Sequence, residues 1–273
     1  MRQSAQPAYD WFRGRQRALP DFIIIGAMKA GTTSLSSYLR EHPQVMGTPQ
    51  KEVHYFDNHY ARGPFWYRRH FPMLEAVARR ERQLGKRVAV GEVSPYYSFH
   101  PAAAERIHGL LPGVRLIALL RDPVARAYSH YRQMVRQGKE PLSFADALAA
   151  EERRLEGAEL ALTSGRRARV EAHRLHSYRS RGLYFEQLRR YLDLFPADAI
   201  LTMKSEDMFR DPQASVDRTL AFLGLDPWRL RNKEGRNRAP EAAGIIPCEA
   251  GLRAFFEPHN RRLYDLLGRD MEW

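Results

Sequence analysis

The chain has 273 residues, is 44% hydrophobic and carries a formal net charge of +12. That apolar content can bury one sizeable core, and with no run of about 18 apolar residues and no signal-peptide h-region a soluble, cytoplasmic protein without stable membrane insertion is expected. A single cysteine, Cys248, excludes an intramolecular disulfide framework and a cysteine-rich zinc site.

Residues 1–20 are polar and arginine-rich, end at Pro20, and read as an N-terminal arm ahead of a single domain over residues 21–273. Residues 22–25, Phe-Ile-Ile-Ile, read as a buried strand, followed by a glycine loop and a helix over 32–41 that stops before Pro43. Val45-Met46-Gly47 reads as a short extended piece leading into a loop over 48–58, with the aromatic stretch 55–71 packed over it. Val88-Ala89-Val90 predicts a second strand, ended by a turn at Glu92-Val93-Ser94-Pro95. A helix follows over 101–111. The apolar run 114–120 has the continuous hydrophobicity of a parallel strand covered on both faces. Asp122 then reads as an N-cap with Pro123 at the first helical position.

The charged stretch 141–180 reads as a helical insertion or lid. An amphipathic helix over 183–194, a last strand over 199–203 and helices over 212–223 and 252–267 complete the pattern. Alternating strands and helices predict a P-loop-type, three-layer α/β/α fold: a central parallel sheet with helical insertions.

The basic excess invites a polyanion. Six of the 44 basic residues are lysine, leaving 38 arginines, and no helix-turn-helix, zinc finger or aromatic-basic RNA motif accompanies them, so no nucleic-acid partner is expected. An anionic cofactor explains part of the excess more economically. Gly26-Ala27-Met28-Lys29-Ala30-Gly31-Thr32-Thr33-Ser34 leaves a strand and opens a helix, the arrangement in which backbone N–H groups and the positive helix end converge on a phosphate. It departs from G-x-x-x-x-G-K-[ST]: the lysine has moved inside the loop and Thr32 stands in its usual place. A phosphate is still accommodated, but no metal position is implied.

A second segment, Arg121-Asp122-Pro123-Val124-Ala125-Arg126-Ala127-Tyr128-Ser129, leaves the end of the central strand, where ligands bind in open α/β sheets. A guanidinium at Arg121 and a hydroxyl at Ser129 could clamp another phosphate. The plainer reading makes Arg121 and Arg126 helix-surface charges and Ser129 a neutral filler.

Taken together, the two segments resemble the PAPS-dependent sulfotransferase superfamily, in the branch containing heparan sulfate N- and O-sulfotransferases and bacterial relatives. The resemblance continues through Lys51-Glu52-Val53-His54-Tyr55-Phe56-Asp57, similar to K-E-x-H-[FY]-F-[DN]. It extends through Glu92-Val93-Ser94-Pro95-Tyr96-Tyr97, Phe209-Arg210-Asp211-Pro212, Phe222-Leu223-Gly224 and the terminal stretch from Glu257-Pro258-His259-Asn260 to Trp273. It implies that Lys29, Ala30, Gly31, Thr32, Thr33 and Ser34 bind the 5′-phosphosulfate and that Arg121 and Ser129 bind the 3′-phosphate. Tyr184 matches a position near the cofactor. Lys233, Gly235, Arg236 and Arg238 match loosely a basic loop that closes over it, with an exposed basic turn as the alternative.

The implied activity moves the sulfuryl group of PAPS, leaving PAP, to a hydroxyl (less readily an amine) of a carbohydrate or specialised-metabolite acceptor, without a metal. Glu52 aligns with the catalytic glutamate, Lys29 stabilises the leaving phosphate, and His54 orients the acceptor or shares the proton; His54 as the base is the competing assignment. Two features depart from relatives: Val93 replaces a lysine, and a cysteine pair is missing. Two other readings stay open, a P-loop kinase or NTPase with Asp122 imitating a Walker B acid, and a basic polyanion-binding module with a vestigial nucleotide site. Eight arginines against two acids between Arg166 and Arg190 suggest either a lid gripping an anionic acceptor or, the preferred reading, a solvated helix face.

Overall fold

Five strands carry the fold: β1 (Phe22–Gly26), β2 (Val45–Gly47), β3 (Ala89–Val93), β4 (Arg115–Leu120) and β5 (Ile200–Lys204). The computed structural model describes residues 15–165, 169–231 and 245–273. The strands form one parallel sheet in the order β2-β3-β1-β4-β5, with Phe22 opposite both Gly91 and Arg115. Every residue of β1 is buried, which is why its sequence is unbroken aliphatic rather than alternating. Gly91 makes room for this: a Cβ there would run into the Phe22 ring.

The helices, in chain order, are α1 (Thr32–Leu39), α2 (Tyr55–Asn58), α3 (Pro64–Arg68), α4 (Leu74–Leu84) and α5 (Ala103–Leu110). After β4 come α6 (Pro123–Arg136), α7 (Phe144–Leu155), α8 (Ala158–Thr163), α9 (Glu171–Leu175) and α10 (Tyr184–Leu192). After β5 come α11 (Ser205–Arg210), α12 (Pro212–Leu223) and α13 (Glu249–Leu267). From β1 the chain runs outward to β2, but from β4 it runs the other way to β5. Right-handed crossovers in opposite directions place helices on both faces, and α12 packs beside α1 and β5. The same reversal opens a crevice between the C-terminal ends of β1 and β4.

Three expectations change. Glu92 and Val93 finish β3 rather than forming a turn, because they pair with Ile23 and Ile24. Residues 17 and 18 are not a loose arm: Arg17 bridges to Met73, and Ala18 N–H donates to Pro72 O at 2.9 Å. Within 141–180 the described residues hold the helices α7, α8 and α9, and the stretch is docked through α7 and Tyr178. Phe144, Ala147, Leu148 and Tyr178 form a second apolar cluster with Val124, Ala127 and Met134 of α6 and Leu252 and Phe256 of α13. Glu140 fastens it further. Burial alone would raise its carboxyl, but a two-pronged Arg154 (2.6 and 3.1 Å), the Tyr178 hydroxyl and the Leu142 N–H bring it down to about 2.

Candidate active site

At the end of β1 the chain turns through Lys29 at φ 73° and Gly31 at φ 92° before α1 begins. Gly31 is required twice over, by its left-handed backbone and because a Cβ would meet Met208 Cε and Phe209 Cζ at 2.7 Å. Lysine rarely adopts a positive φ, and such residues concentrate at functional sites. The loop is pinned by Ala27 N–H to Leu119 O at 2.6 Å and by the Ser205 hydroxyl to Ala30 O at 2.7 Å. No acidic residue occupies the first turn of α1, so none there offsets the positive end of the helix.

Arg121, at the C-terminal end of β4, reaches across the crevice and donates from Nη1 to Lys29 O at 3.1 Å. Tyr184, fully buried, donates its hydroxyl to Arg121 O at 2.9 Å. Tyr184 therefore braces Arg121. The structure thus brings together Lys29, Ala30, Gly31, Arg121 and Tyr184, with Thr32, Thr33 and Ser34 in the first turn of α1 and Ser129 half-buried on α6. Lys233, Gly235, Arg236 and Arg238 lie outside the described residues.

Charge around Lys29 is one-sided. Burial and the positive charges of Arg136, Arg121, Lys51 and Arg126 lower its ammonium to about 8. Beneath it Arg126 is completely buried, not a surface charge. One of its N–H groups reaches Tyr178 O, while Nε and Nη1 have no hydrogen-bond partner among the described residues. Arg181 is equally buried, donating to Met28 Sδ at 2.9 Å and to the carbonyls of His173 and Arg174 at 3.1 and 2.9 Å, with its guanidinium over Tyr96 and Phe99. The arginine-rich segment is therefore not simply a solvated face. Arg189 is exposed, but Arg181 has exchanged water for backbone carbonyls and two aromatic rings.

On the other side lies the loop before α2. His54, at φ 55°, sits between two carboxylates: Nε2 is 3.0 Å from Glu52 and Nδ1 is 2.7 Å from Asp57. Burial opposes the charged imidazole, but hydrogen bonds to Asp57 and Glu52 prevail and raise it to about 10. His54 is thus an imidazolium at neutral pH, with both N–H groups engaged. Asp57, fully buried, is the member of this triad that the sequence alone does not single out. Its signals in the sequence are its place at the end of the Lys51–Asp57 stretch and its spacing of three from His54. The loop is tied to the sheet beside β1: His54 N–H faces Ser94 Oγ at 3.5 Å, and Ser94 N–H donates to Ile24 O at 3.1 Å.

Asp122 is engaged within the protein. Its carboxylate caps α6 through Val124 N–H at 2.8 Å and pairs with Arg253 at 3.4 Å.

Comparison with known proteins agrees with this geometry. A family model for the sulfotransferase domain matches residues 19–234. Heparan sulfate glucosamine 3-O-sulfotransferase 6 of Mus musculus is 31% identical over 95% of this chain and 75% of its own length. The membrane-associated sulfotransferase kil1 of Dictyostelium discoideum is 27% identical over 95% of this chain and 68% of its own. Among the described residues no helix is long and apolar enough to cross a membrane. A sulfotransferase structure from Alicyclobacillus acidocaldarius superimposes with a TM-score of 0.70 and 32% identity, covering 93% of this chain and 98% of that one. With a domain match over most of its length and relatives above 30% identity, the chain belongs to the sulfotransferase family, whose members as a group draw the sulfuryl group from PAPS.

Proposed function

We propose that this chain transfers the sulfuryl group of PAPS to a hydroxyl of a carbohydrate or specialised-metabolite acceptor, with Glu52 as general base and Lys29 at the leaving phosphate. The observation that carries the reading is the uncompensated positive charge between β1 and β4. Lys29 has no acidic partner among the described residues, Arg121 bonds to its carbonyl, and the first turn of α1 carries no acidic residue. A nucleotide with phosphates at both its 5′ and 3′ positions fits two such cation positions, the loop and the Arg121–Ser129 segment.

PAPS would supply a sulfur joined to a good leaving group, so that its S–O bond to phosphate breaks as the acceptor oxygen bonds to sulfur. In a loose, in-line transfer the negative charge grows on the departing phosphate oxygen. Lys29 and the loop N–H groups stabilise that charge in place, without reorganising. Glu52 takes the acceptor's proton. His54 is unsuited to that role because both its nitrogens already carry protons held by carboxylates. It instead fixes the orientation of Glu52. The phosphates are neutralised by side chains and a helix end, so no metal is needed.

Incubation with radiolabelled PAPS and a panel of hydroxyl-bearing and amine-bearing acceptors tests the reading. Label appearing on a hydroxyl acceptor supports it; magnesium-dependent transfer from ATP with none from PAPS would overturn it.

A further inference from the structure

Glu92, at the end of β3, is a buried carboxyl that the proposed chemistry does not use. It is fully enclosed and receives three hydroxyls: Tyr67 of α3, Ser94 at 2.9 Å and Tyr97 at 2.8 Å. Burial pushes its carboxyl up to about 7; the three hydroxyls oppose that rise and nearby Asp57 adds to it. A carboxyl held among three O–H donors is organised as an acceptor. What matters is where the hydroxyls point next. Having donated to Glu92, the Tyr97 oxygen accepts from Tyr55 N–H at 2.8 Å and Phe56 N–H at 3.4 Å, while the Ser94 oxygen faces His54 N–H at 3.5 Å. The helix α2 has no side-chain cap of its own. Its first amides are satisfied by hydroxyls whose lone pairs are turned toward them because their protons are committed to Glu92.

We propose that Glu92 is a positioning residue for transfer: through the Tyr97 and Ser94 hydroxyls it fixes the start of α2, and with it the left-handed His54 that holds Glu52. The inference rests on Glu52 being the base. The polarity of the chain is one-directional, from the carboxylate of Glu92 through hydroxyl to amide, so an apolar residue at 92 frees the hydroxyls to turn. Glu92 also lies opposite Ile23 of β1, and the next hydroxyl residue, Ser94, donates its N–H to Ile24 O of the same strand at 3.1 Å, so the network is anchored on the strand that leads into the Lys29 loop. A displacement of even about 1 Å at a reacting group can lower turnover by about 100-fold.

The test compares Glu92→Leu, Glu92→Gln and Tyr97→Phe, each alone and combined with Glu52→Gln, by kcat and by calorimetric PAP affinity. Tyr97→Phe deletes the relay hydroxyl without touching the carboxyl and serves if Glu92→Leu does not fold. Glu92→Gln keeps an oxygen able to accept from Tyr97. Expected are falls in kcat of about 10–100-fold for Glu92→Leu and Tyr97→Phe, substantial recovery in Glu92→Gln, unchanged PAP affinity, and almost no further loss in the Glu52→Gln background. Unchanged kcat in a folded Tyr97→Phe, or losses that multiply fully with that of Glu52→Gln, would overturn the inference alone. A Glu52→Gln enzyme with normal turnover would overturn the base assignment and this inference together.

Discussion

The two loops that meet at the site handle charge in opposite ways. In the Gly26–Ser34 loop, Lys29 is half-buried among other cations, its ammonium lowered to about 8, with no acid to meet it among the described residues. In the 52–57 stretch the charges meet one another: an imidazolium lies between two carboxylates, and the histidine is raised to about 10. A site that leaves charge open is prepared for a ligand that brings the missing sign. A site that closes its charges internally is prepared to hold a geometry. Both loops contain a non-glycine residue at positive φ, Lys29 and His54, so both are fixed by their surroundings rather than by local preference.

The contrast breaks most visibly at Glu52. Removing its charge in Glu52→Gln should lower turnover by about 10²–10⁴-fold while PAP affinity stays at the wild-type value, measured by steady-state kinetics beside calorimetry. Lys29→Ala and Arg121→Ala should do the reverse first, weakening PAP by about 10–100-fold each, the loss of a charged hydrogen bond. A smaller effect is expected from proton linkage. The free Lys29 ammonium loses its proton near pH 8, whereas a bound polyphosphate favours the charged form. PAP binding above pH 8 should then take up a proton and weaken with rising pH by at most about tenfold per pH unit. Calorimetry in buffers of different ionisation enthalpy reads the proton directly. The mildest change is at Asp57→Asn: the NMR titration of His54 should fall from about 10 toward the ordinary histidine value, with PAP affinity unmoved.

Much of this architecture is legible in the sequence because its causes are local. The apolar run of β4, the Asp122-Pro123 start of α6 and the Asp211-capped α12 all follow from patterns a few residues long. The geometry of the Gly26–Ser34 loop is legible for the same reason, as strand, glycines and helix are contiguous. What is not legible depends on partners far along the chain. Glu92 reads as a turn residue until hydroxyls from Tyr67 and Tyr97 enclose it. Arg126 and Arg181 read as surface charges because arginine is rarely buried, yet carbonyls of Tyr178 and His173 receive them. Nor does any periodicity announce that both His54 nitrogens are taken, the observation on which the proposed choice of Glu52 as base rests.

Calorimetric titration of PAP and of ATP in EDTA, and again with magnesium, tests the claim that the open charge between β1 and β4 is built for a nucleotide bearing a 3′-phosphate and needs no metal. The account predicts tight PAP binding unaffected by EDTA and far weaker ATP binding in either condition. Tight ATP binding that requires magnesium, with none for PAP, would contradict it.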